Sequence, residues 1–307
     1  MDGLAPLIAS AMIAGTPLML AALGLLINEK SGVINLGSEG MMLVAAIAGF
    51  ATAIESGSPA LGFLAGALAG MCMAGFFAWL TVWLGANQVA TGLALSLFGA
   101  GASAYLGIDY SAETLQAHRF GIPWLEDLPF VGPALFSHHP MVYVAIALCV
   151  LIIWFLGRTR AGLVLKAVGE SPSSAHSLGY DVRRIRLGAL LFGGACCGLA
   201  GAFMSLVYTP MWVEGMVAGR GWIALALTTF ATWRPLRVLA GAYLFGGITI
   251  LTYHMQARGV PIASQLLSML PYLATIVVLV LISRNANWIR LNMPASLGKN
   301  FNPNTGG

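Results

Sequence analysis

Charged side chains are scarce in this sequence. Asp, Glu, Lys and Arg make up only 8% of its 307 residues, whereas 58% are hydrophobic. An average soluble domain carries roughly 25% charged residues, so a soluble globule of this composition would lack the polar groups to cover its surface. The scarcity excludes soluble, disordered and fibrous proteins and indicates a polytopic membrane protein. The formal net charge of +4 is also too small to mark a nucleic-acid-binding surface.

Residue patterns for catalysis and cofactor binding are missing as well. The four cysteines lie inside apolar runs, which favours packing residues over disulfides or metal ligands. No G-x-x-x-x-G-K-[ST] motif is present, so the chain does not bind ATP through a P-loop. None of the five histidines pairs with a cysteine or a carboxylate at ligand spacing. The sequence therefore predicts no enzyme activity, no metal site and no cofactor of its own.

Long apolar runs are the dominant positive feature. A membrane-spanning helix needs about 20 mainly apolar residues, and open strands cannot cross lipid because their backbone groups would stay unpaired. The sequence thus predicts an all-α transmembrane bundle of about nine spans, with eight or ten as alternatives. No basic residue precedes Lys30, so we expect no cleaved signal peptide and a retained first span. The spans are predicted near 6–27, 38–54, 60–83, 88–107, 141–157, 187–208, 220–233, 238–255 and 265–283.

The distribution of basic residues predicts the orientation. Loop 158–186 carries six basic and two acidic side chains, and the end of the chain, 284–307, carries three basic and no acidic ones. By the positive-inside rule both face the cytoplasm. Loop 108–140 holds one arginine against four acids and is expected outside. The prediction is one transmembrane domain over 1–293 with its N-terminus outside, followed by a disordered cytoplasmic tail over 294–307.

Glycine is abundant, with 38 residues, and some of it is regularly spaced. Gly62, Gly66 and Gly70 recur every four residues, and Gly194 and Gly198 form a similar pair. Because no hydrophobic force pulls helices together in lipid, small residues let their backbones approach and pack. The spacing predicts close helix–helix contacts at these positions.

A polar, glycine-rich segment from Asn28 to Gly40 separates the first two apolar runs. One interpretation is a plain connection between helices, with Ser38 capping the second helix. The other is an irregular backbone that lines a polar cavity, because such backbone survives at membrane depth only against protein or water. In the second case Asn35, Ser38 and Glu39 face the solute. The segment alone does not decide between the two.

The start of the fourth apolar run carries polar and small residues on one helix face. Gln88, Thr91 and Ser96 fall at helical spacing, and Asn87 precedes them. Polar groups inside spans usually face the bundle interior or a cavity. A hydrogen-bonding face between helices and a solute path are therefore both open, and Asn87, Gln88 and Thr91 are the candidates for the path.

Loop 158–186 contains a short predicted helix with a stop signal at each end. Ser171 followed by Pro172 is typical of a helix N-cap and its first residue, and Gly179 is typical of the position after a helix ends. The helix has two turns at most and lies in the most basic loop. Its two interpretations are a surface helix that only completes the topology and a rigid docking helix for a cytoplasmic partner.

Six stretches in order along the chain resemble one family. They resemble the integral membrane permeases of ABC importers for simple sugars and nucleosides, which are grouped with ribose and branched-chain amino acid permeases. The similarity is strongest to the shorter permease of general nucleoside uptake systems. The stretches are KSGVINLGSEGMML at 30–43, NQVATG at 87–92, RTRAGL at 158–163, KAVGESP at 166–172, GRGWIALA at 219–226 and LPY at 270–272.

The resemblance implies a multi-pass permease of the bacterial inner membrane that forms the path for a nucleoside or a simple sugar. It also implies three partners: a second permease subunit, identical or different, a cytoplasmic ATPase with two nucleotide-binding halves, and an extracytoplasmic solute-binding protein. The ATPase binds the ATP. The alternative hypothesis is a secondary transporter or channel driven by an ion gradient, which would need ionisable residues in mid-span. Such residues are nearly absent.

Carried onto this chain, the family's coupling loop corresponds to Ala167 through Val182. The resemblance also places Asn35, Glu39 and Gln88 near the solute path. The residues expected to couple to the ATPase are Lys166, Gly169, Glu170, Ser171, Pro172, Ser174, Ala175, Leu178, Gly179, Val182 and Arg183.

Overall fold

A computed structural model describes residues 4–116, 132–259, 263–283 and 292–302. Within these ranges the chain is helical, and the one extended pairing is an isolated bridge between Thr114 and Met211. The predicted all-α class is confirmed. Residues 117–131 of the predicted external loop lie outside the described ranges.

Twelve α-helices are present in the described part of the chain, and single π-helical turns extend α3 over Trp79–Trp83 and α8 over Met204–Tyr208. The helices are α1 (Leu4–Lys30), α2 (Ser38–Ser56), α3 (Pro59–Ala78), α4 (Gln88–Leu106), α5 (Pro140–Arg158), α6 (Arg160–Glu170), α7 (Pro172–Ser177), α8 (Val182–Phe203), α9 (Arg220–Phe230), α10 (Pro235–Ala257), α11 (Ser264–Ser268) and α12 (Leu270–Ser283).

A helix lies at each of the nine positions where the sequence predicts a span, but two of the positions hold short helices. The span expected at 220–233 is the 11-residue α9, and the one expected at 265–283 is divided between α11 and the 14-residue α12. At 1.5 Å per residue, α9 is about 16 Å long, roughly half of the hydrocarbon core. Seven helices in the described ranges are long and apolar enough to cross a membrane. The count of nine spans and the sidedness of the termini therefore stay predictions.

Two helices form the centre of the bundle. In the most apolar 18-residue stretch of each helix, 83% of the residues are buried in α1 and 72% in α8. In α4, α5 and α10 only 22% to 28% of these residues are buried. A helix that is apolar on every side fits the centre of a membrane bundle, where neighbours surround it. The outer helices instead present large apolar side chains such as Leu97 and Phe98 on α4, both more than 60% exposed. These faces suit lipid or a second membrane subunit.

The spaced glycines form the contact between α3 and α8, as the sequence predicts. A methyl group at Gly70 would lie 2.2 Å from the carbonyl oxygen of Gly194, and one at Gly198 would lie 2.3 Å from that of Gly66. Only glycine permits backbones to approach this closely. The seam holds the first half of the chain against the second.

Residues 294–302, which begin the predicted tail, form turns that hydrogen bonds hold in place. This segment, which we call the C-terminal strap, lies against the loop that bears α7, and Ser296 within it is buried. Composition suggested disorder because the segment is rich in Asn, Gly, Ser and Pro. Its order comes instead from hydrogen bonds to residues far away in the sequence, which composition does not reveal. Residues 303–307 lie outside the described ranges.

The glycine seam gives a test of the fold. We expect Gly70→Ala to lower the apparent thermal unfolding midpoint of the detergent-solubilised protein, because overpacking costs about 1–3 kcal/mol. Gly75→Ala on the same helix is the control, since its added methyl would meet only a Leu191 side-chain carbon at 3.6 Å. Equal midpoints for the two variants would contradict the tight seam.

Candidate functional site

The capped surface helix predicted in the basic loop is present as α7. The Ser171 hydroxyl accepts a hydrogen bond from the Ser174 N–H at 3.3 Å, and Pro172 is the first helical residue. At the other end Gly179 has φ +89°, and its N–H donates to the His176 carbonyl at 2.9 Å. This left-handed conformation favours glycine. Both predicted stops are confirmed.

α7 rests on the protein body through one small side chain. Ala175 is buried in a cluster with Val168 of α6 and Val182 of α8. On the outer side Leu178 is 78% exposed. A short helix that is capped at both ends and wedged between two neighbours can move only together with them. Its exposed apolar tip is free to contact another protein.

Sequence reasoning missed α6, the helix that leads into α7. The sequence contains a signal for this helix, because Thr159 is a typical N-cap residue and the apolar Leu165 and Val168 follow at helical spacing. In the structure the Thr159 hydroxyl accepts the Gly162 N–H at 3.0 Å, and Leu165 and Val168 are buried. The basic residues of the loop indicated only on which side of the membrane it lies. α6 joins α5 to α7, with one residue between each pair of helices.

The predicted coupling residues lie on α6, on α7, at the start of α8 and in the short connections between these helices, but their side chains do not all face outward. Gly169, Ala175 and Val182 are buried, so they hold the helix in place and cannot meet a partner directly. The members exposed to solvent are Glu170, Ser174, Leu178 and Gly179, and those of intermediate exposure are Lys166, Ser171, Pro172 and Arg183.

A cleft of about 490 Å³ lies beside α7. Arg183 and Arg184 line it, and Arg184 also pairs with Asp181 at 2.9 Å on the exposed surface. Exposed pairs of this kind add little stability. The remaining lining residues are Trp83, His176, Gly179, Tyr180, Asp181, Val182 and Phe301.

The segment between α1 and α2 is a buried hairpin, which we call the polar hairpin (residues 28–39). The Asn35 amide oxygen accepts the Gly37 N–H at 3.0 Å, and Gln88 of α4 accepts the Ile34 N–H at 2.9 Å. The Ser38 hydroxyl donates to the Gly221 carbonyl at 3.1 Å. These side chains thus satisfy backbone groups that have no water within reach. Asn35, Ser38 and Gln88 therefore have structural partners, but the predicted Ser38 cap is wrong, because the N-cap of α2 is Gly37 and no side chain caps this helix.

Glu39 binds the beginning of α9. Its two carboxylate oxygens accept the N–H groups of Gly219 at 2.8 Å and Gly221 at 2.7 Å. A carboxylate at a helix N-terminus satisfies free N–H groups and meets the positive end of the helix dipole. A methyl group at Gly221 would lie 2.6 Å from the Glu39 backbone, so the approach requires glycine there.

Glu29 binds the other end of α9, which sequence reasoning did not anticipate. Its carboxylate accepts the Thr228 hydroxyl at 2.9 Å and the indole N–H of Trp233. Thr232 and Trp233 both have φ near +50°, a conformation rare for such residues, and both are buried. The short α9 is therefore held at both ends by acids of the polar hairpin. Glu29 was visible in the sequence, but its partners lie about two hundred residues away.

The polar face of α4 packs mainly on α2 and the polar hairpin. The Ser96 hydroxyl donates to the Leu36 carbonyl at 2.8 Å, and a methyl group at Gly99 would lie 2.5 Å from Gly40. At the start of the helix Asn87 is exposed and caps it by accepting the Ala90 N–H at 3.0 Å. The structure thus brings Gln88 together with Asn35, Ser38 and Glu39, and leaves Asn87 exposed and Thr91 half-buried.

A second cavity, of about 330 Å³, lies between α9 and α10. Arg220 lines it, with its guanidinium 5.1 Å from the centre of the Tyr208 ring and hydrogen-bonded to two carbonyls of its own loop. Stacking of this kind holds an arginine without an acid. The lining mixes apolar and hydrogen-bonding groups: Ala218, Arg220, Ile223, Phe245, Thr249, Thr252, Tyr253, Gln256 and Pro271.

Three known proteins that are similar to this chain are named as ABC transporter permeases. The putative glucose ABC transporter permease protein TsgC13 of Haloferax volcanii is 40% identical, over 94% of this chain and 95% of that protein. The nucleoside ABC transporter permease protein NupC of Lactococcus lactis subsp. cremoris is 31% identical over 90% and 91%. The guanosine ABC transporter permease protein NupQ of Bacillus subtilis is 29% identical over 78% and 79%. No solved structure matches the chain.

A family model extends the similarity across almost the whole bundle. The family is described as the branched-chain amino acid transport system permease component, and its model matches residues 7–282, from the beginning of α1 to the end of α12. The relatives are transporter permease subunits and not enzymes. The chain belongs to this family of ABC transporter permeases.

Proposed function

We propose that this chain is the permease subunit of an ABC importer and forms the path by which a nucleoside or a simple sugar crosses the bacterial inner membrane. Hydrolysis of ATP in a partner ATPase drives the transport. The observation that carries the proposal is α7, a rigid surface helix with an exposed apolar tip, in a chain whose relatives are named as glucose and nucleoside permeases. A second permease subunit, identical or different, completes the path, and an extracytoplasmic protein delivers the solute.

Movement of α7 reaches the bundle through packing. The ATPase binds the exposed face of the coupling loop, where Leu178 and Glu170 are accessible. Because Ala175 is wedged between α6 and α8, a push on α7 displaces the beginning of α8. α8 packs on α1, α2 and α3, so its displacement shifts the centre of the bundle. Transport by alternating access follows when this shift opens the path to one side and closes it to the other.

The solute path runs along the polar hairpin and the start of α4. Asn35, Ser38, Glu39 and Gln88 shape this region, while Asn87 and Thr91 offer their side chains to the solute. The cavity at Arg220 adds aromatic and hydroxyl groups, and a ring-bearing, hydroxylated solute needs both kinds of contact.

An ion-gradient-driven transporter or channel is the competing hypothesis. It would use a buried acid that gains and loses a proton. Glu29 and Glu39 are the buried acids in the described ranges, and each carboxylate accepts two hydrogen bonds that hold α9. This engagement favours a structural role over a proton relay.

The proposal is tested first through the partner. Replacing the phosphate-binding lysine of the cognate ATPase by alanine is expected to abolish solute uptake into proteoliposomes, because the bundle would receive no driving movement. Solute binding by the extracytoplasmic protein serves as the control and remains normal. Uptake that continues unchanged and stops when the ion gradient is collapsed would reject the importer and establish the competing hypothesis.

The rigid end of α7 gives a second test. We expect Gly179→Val to reduce uptake roughly tenfold, because a β-branched residue at φ +89° strains the end of the coupling helix. Gly179→Asn is the matched control, since asparagine tolerates this conformation. The amount of protein in the membrane is measured alongside and stays constant. Normal uptake by the valine variant would exclude a role for the helix end in coupling.

The proposed path is tested by removing hydrogen-bonding groups from its side chains. Asn87→Ser keeps the helix cap and removes the amide, and Thr91→Val removes a hydroxyl. Each is expected to raise the KM for uptake several-fold, on the order of one lost hydrogen bond. Leu97→Ala, at a residue 75% exposed on the same helix, is the control and leaves the KM unchanged. A KM equal to wild type in both path variants would place the solute elsewhere.

A further inference from the structure

We propose that the C-terminal strap (residues 294–302) is a transmission element that ties the coupling loop to the polar hairpin and to the start of α4. This inference rests on the proposed function, because it assigns a role in carrying the movement of α7 to the solute path. It concerns residues that neither the sequence motifs nor the similarity to known permeases singles out. The family model ends at residue 282, before the strap begins.

One side of the strap binds the coupling loop. The N–H and the hydroxyl of Ser296 both donate to the Gly169 carbonyl at the end of α6, at 3.0 and 2.6 Å. Phe301 packs against the buried cluster that seats α7, and its ring lies 5.5 Å from that of His176. A displacement of α7 therefore displaces the strap.

The other side of the strap binds the region of the proposed solute path. The Gly298 N–H donates to the Gly32 carbonyl of the polar hairpin at 3.1 Å. The Asn300 amide donates to the Gly85 carbonyl at 2.6 Å and accepts from Gln88 at 3.1 Å. Gln88 in turn accepts the Ile34 N–H of the hairpin at 2.9 Å. The strap thus contacts both elements that shape the path.

Arg186 fastens the strap to α8 and to the polar hairpin at once. Its guanidinium donates to the carbonyls of Ser31 and Lys299 at 3.2 and 3.1 Å and to the Ser296 hydroxyl at 3.4 Å. The side chain is only 2% exposed. A buried cation with neutral oxygen partners is costly to leave unsatisfied, so these three contacts are kept or lost together. Sequence reasoning counted Arg186 only as a loop charge.

These contacts give the coupling helix a short route to the path. α7 itself packs on α6 and α8. α8 also reaches the polar hairpin near its beginning, through the hydrogen bond from Arg186 to the Ser31 carbonyl. The strap adds a second connection, from the seat of α7 to Gly32 and Gln88, through hydrogen bonds of its backbone and of the Asn300 side chain.

The test separates coupling from folding by using two point variants in the assembled complex. Asn300→Ala removes the contacts with Gly85 and Gln88, and Phe301→Ala removes the packing on the α7 seat. Solute uptake and ATP hydrolysis are measured on the same proteoliposomes. We expect uptake to fall roughly fivefold or more, the effect of one or two neutral hydrogen bonds, while hydrolysis stays near the wild-type rate.

Two further variants complete the design. Lys299→Ala is the matched control on the strap, because only its backbone contacts Arg186 and its side chain is exposed; it is expected to behave as wild type. Phe301→Leu refills the packing and is expected to restore most of the uptake lost in Phe301→Ala. The thermal unfolding midpoint of each complex is recorded as a check on folding.

Wild-type uptake in both alanine variants would overturn the proposal. Equal losses of uptake and hydrolysis together with a lowered midpoint would also overturn it, because the strap would then serve stability alone. Failure of the proposed importer function gives a different result. Uptake would then continue when the ATPase is inactive, independently of the effect of the strap variants.

Discussion

Buried polar groups that cannot reach water determine the arrangement at the centre of this bundle. Glu29 and Glu39 lie at the two ends of the polar hairpin, and each reaches across to one end of α9. Two buried carboxylates are energetically costly, and donors on α9 or next to its ends stabilise both of them. These contacts hold both ends of α9.

The same constraint links the polar hairpin with the loop that carries α7. The hairpin that holds α9 is itself bound by Arg186 of α8 and by Gln88 of α4. Polar side chains therefore form a connected layer between the apolar bundle and the loop that carries α7. Hydrogen bonds are directional, so these groups fix one another's positions. The seam between α3 and α8 adds close backbone packing beside this layer.

Local patterns in the sequence predicted most of the helices and both ends of α7, because apolar runs, caps and glycine stops act over a few residues. The glycine contacts of α3 and α8 followed from spacing for the same reason. The segment predicted at 220–233 was already shorter than a membrane crossing requires. The sequence could not show that Glu29 binds the end of α9 through Thr228 and Trp233. Nor could it show the order of the strap, whose partners lie more than a hundred residues away in the sequence. Long-range polar pairing, rather than hydropathy, decides these features.

The burial of α1 has a consequence for biogenesis. This helix is synthesised well before the neighbours that enclose it, α8, α9 and α10, which follow it by more than 150 residues. Until they are inserted, the Glu29 carboxylate has no protein donor and must stay hydrated near the lipid headgroups. Final docking of α1 therefore waits until α9 and α10 have been made. A nascent chain that stops before α9 leaves the Glu29 carboxylate without its hydrogen-bond donors.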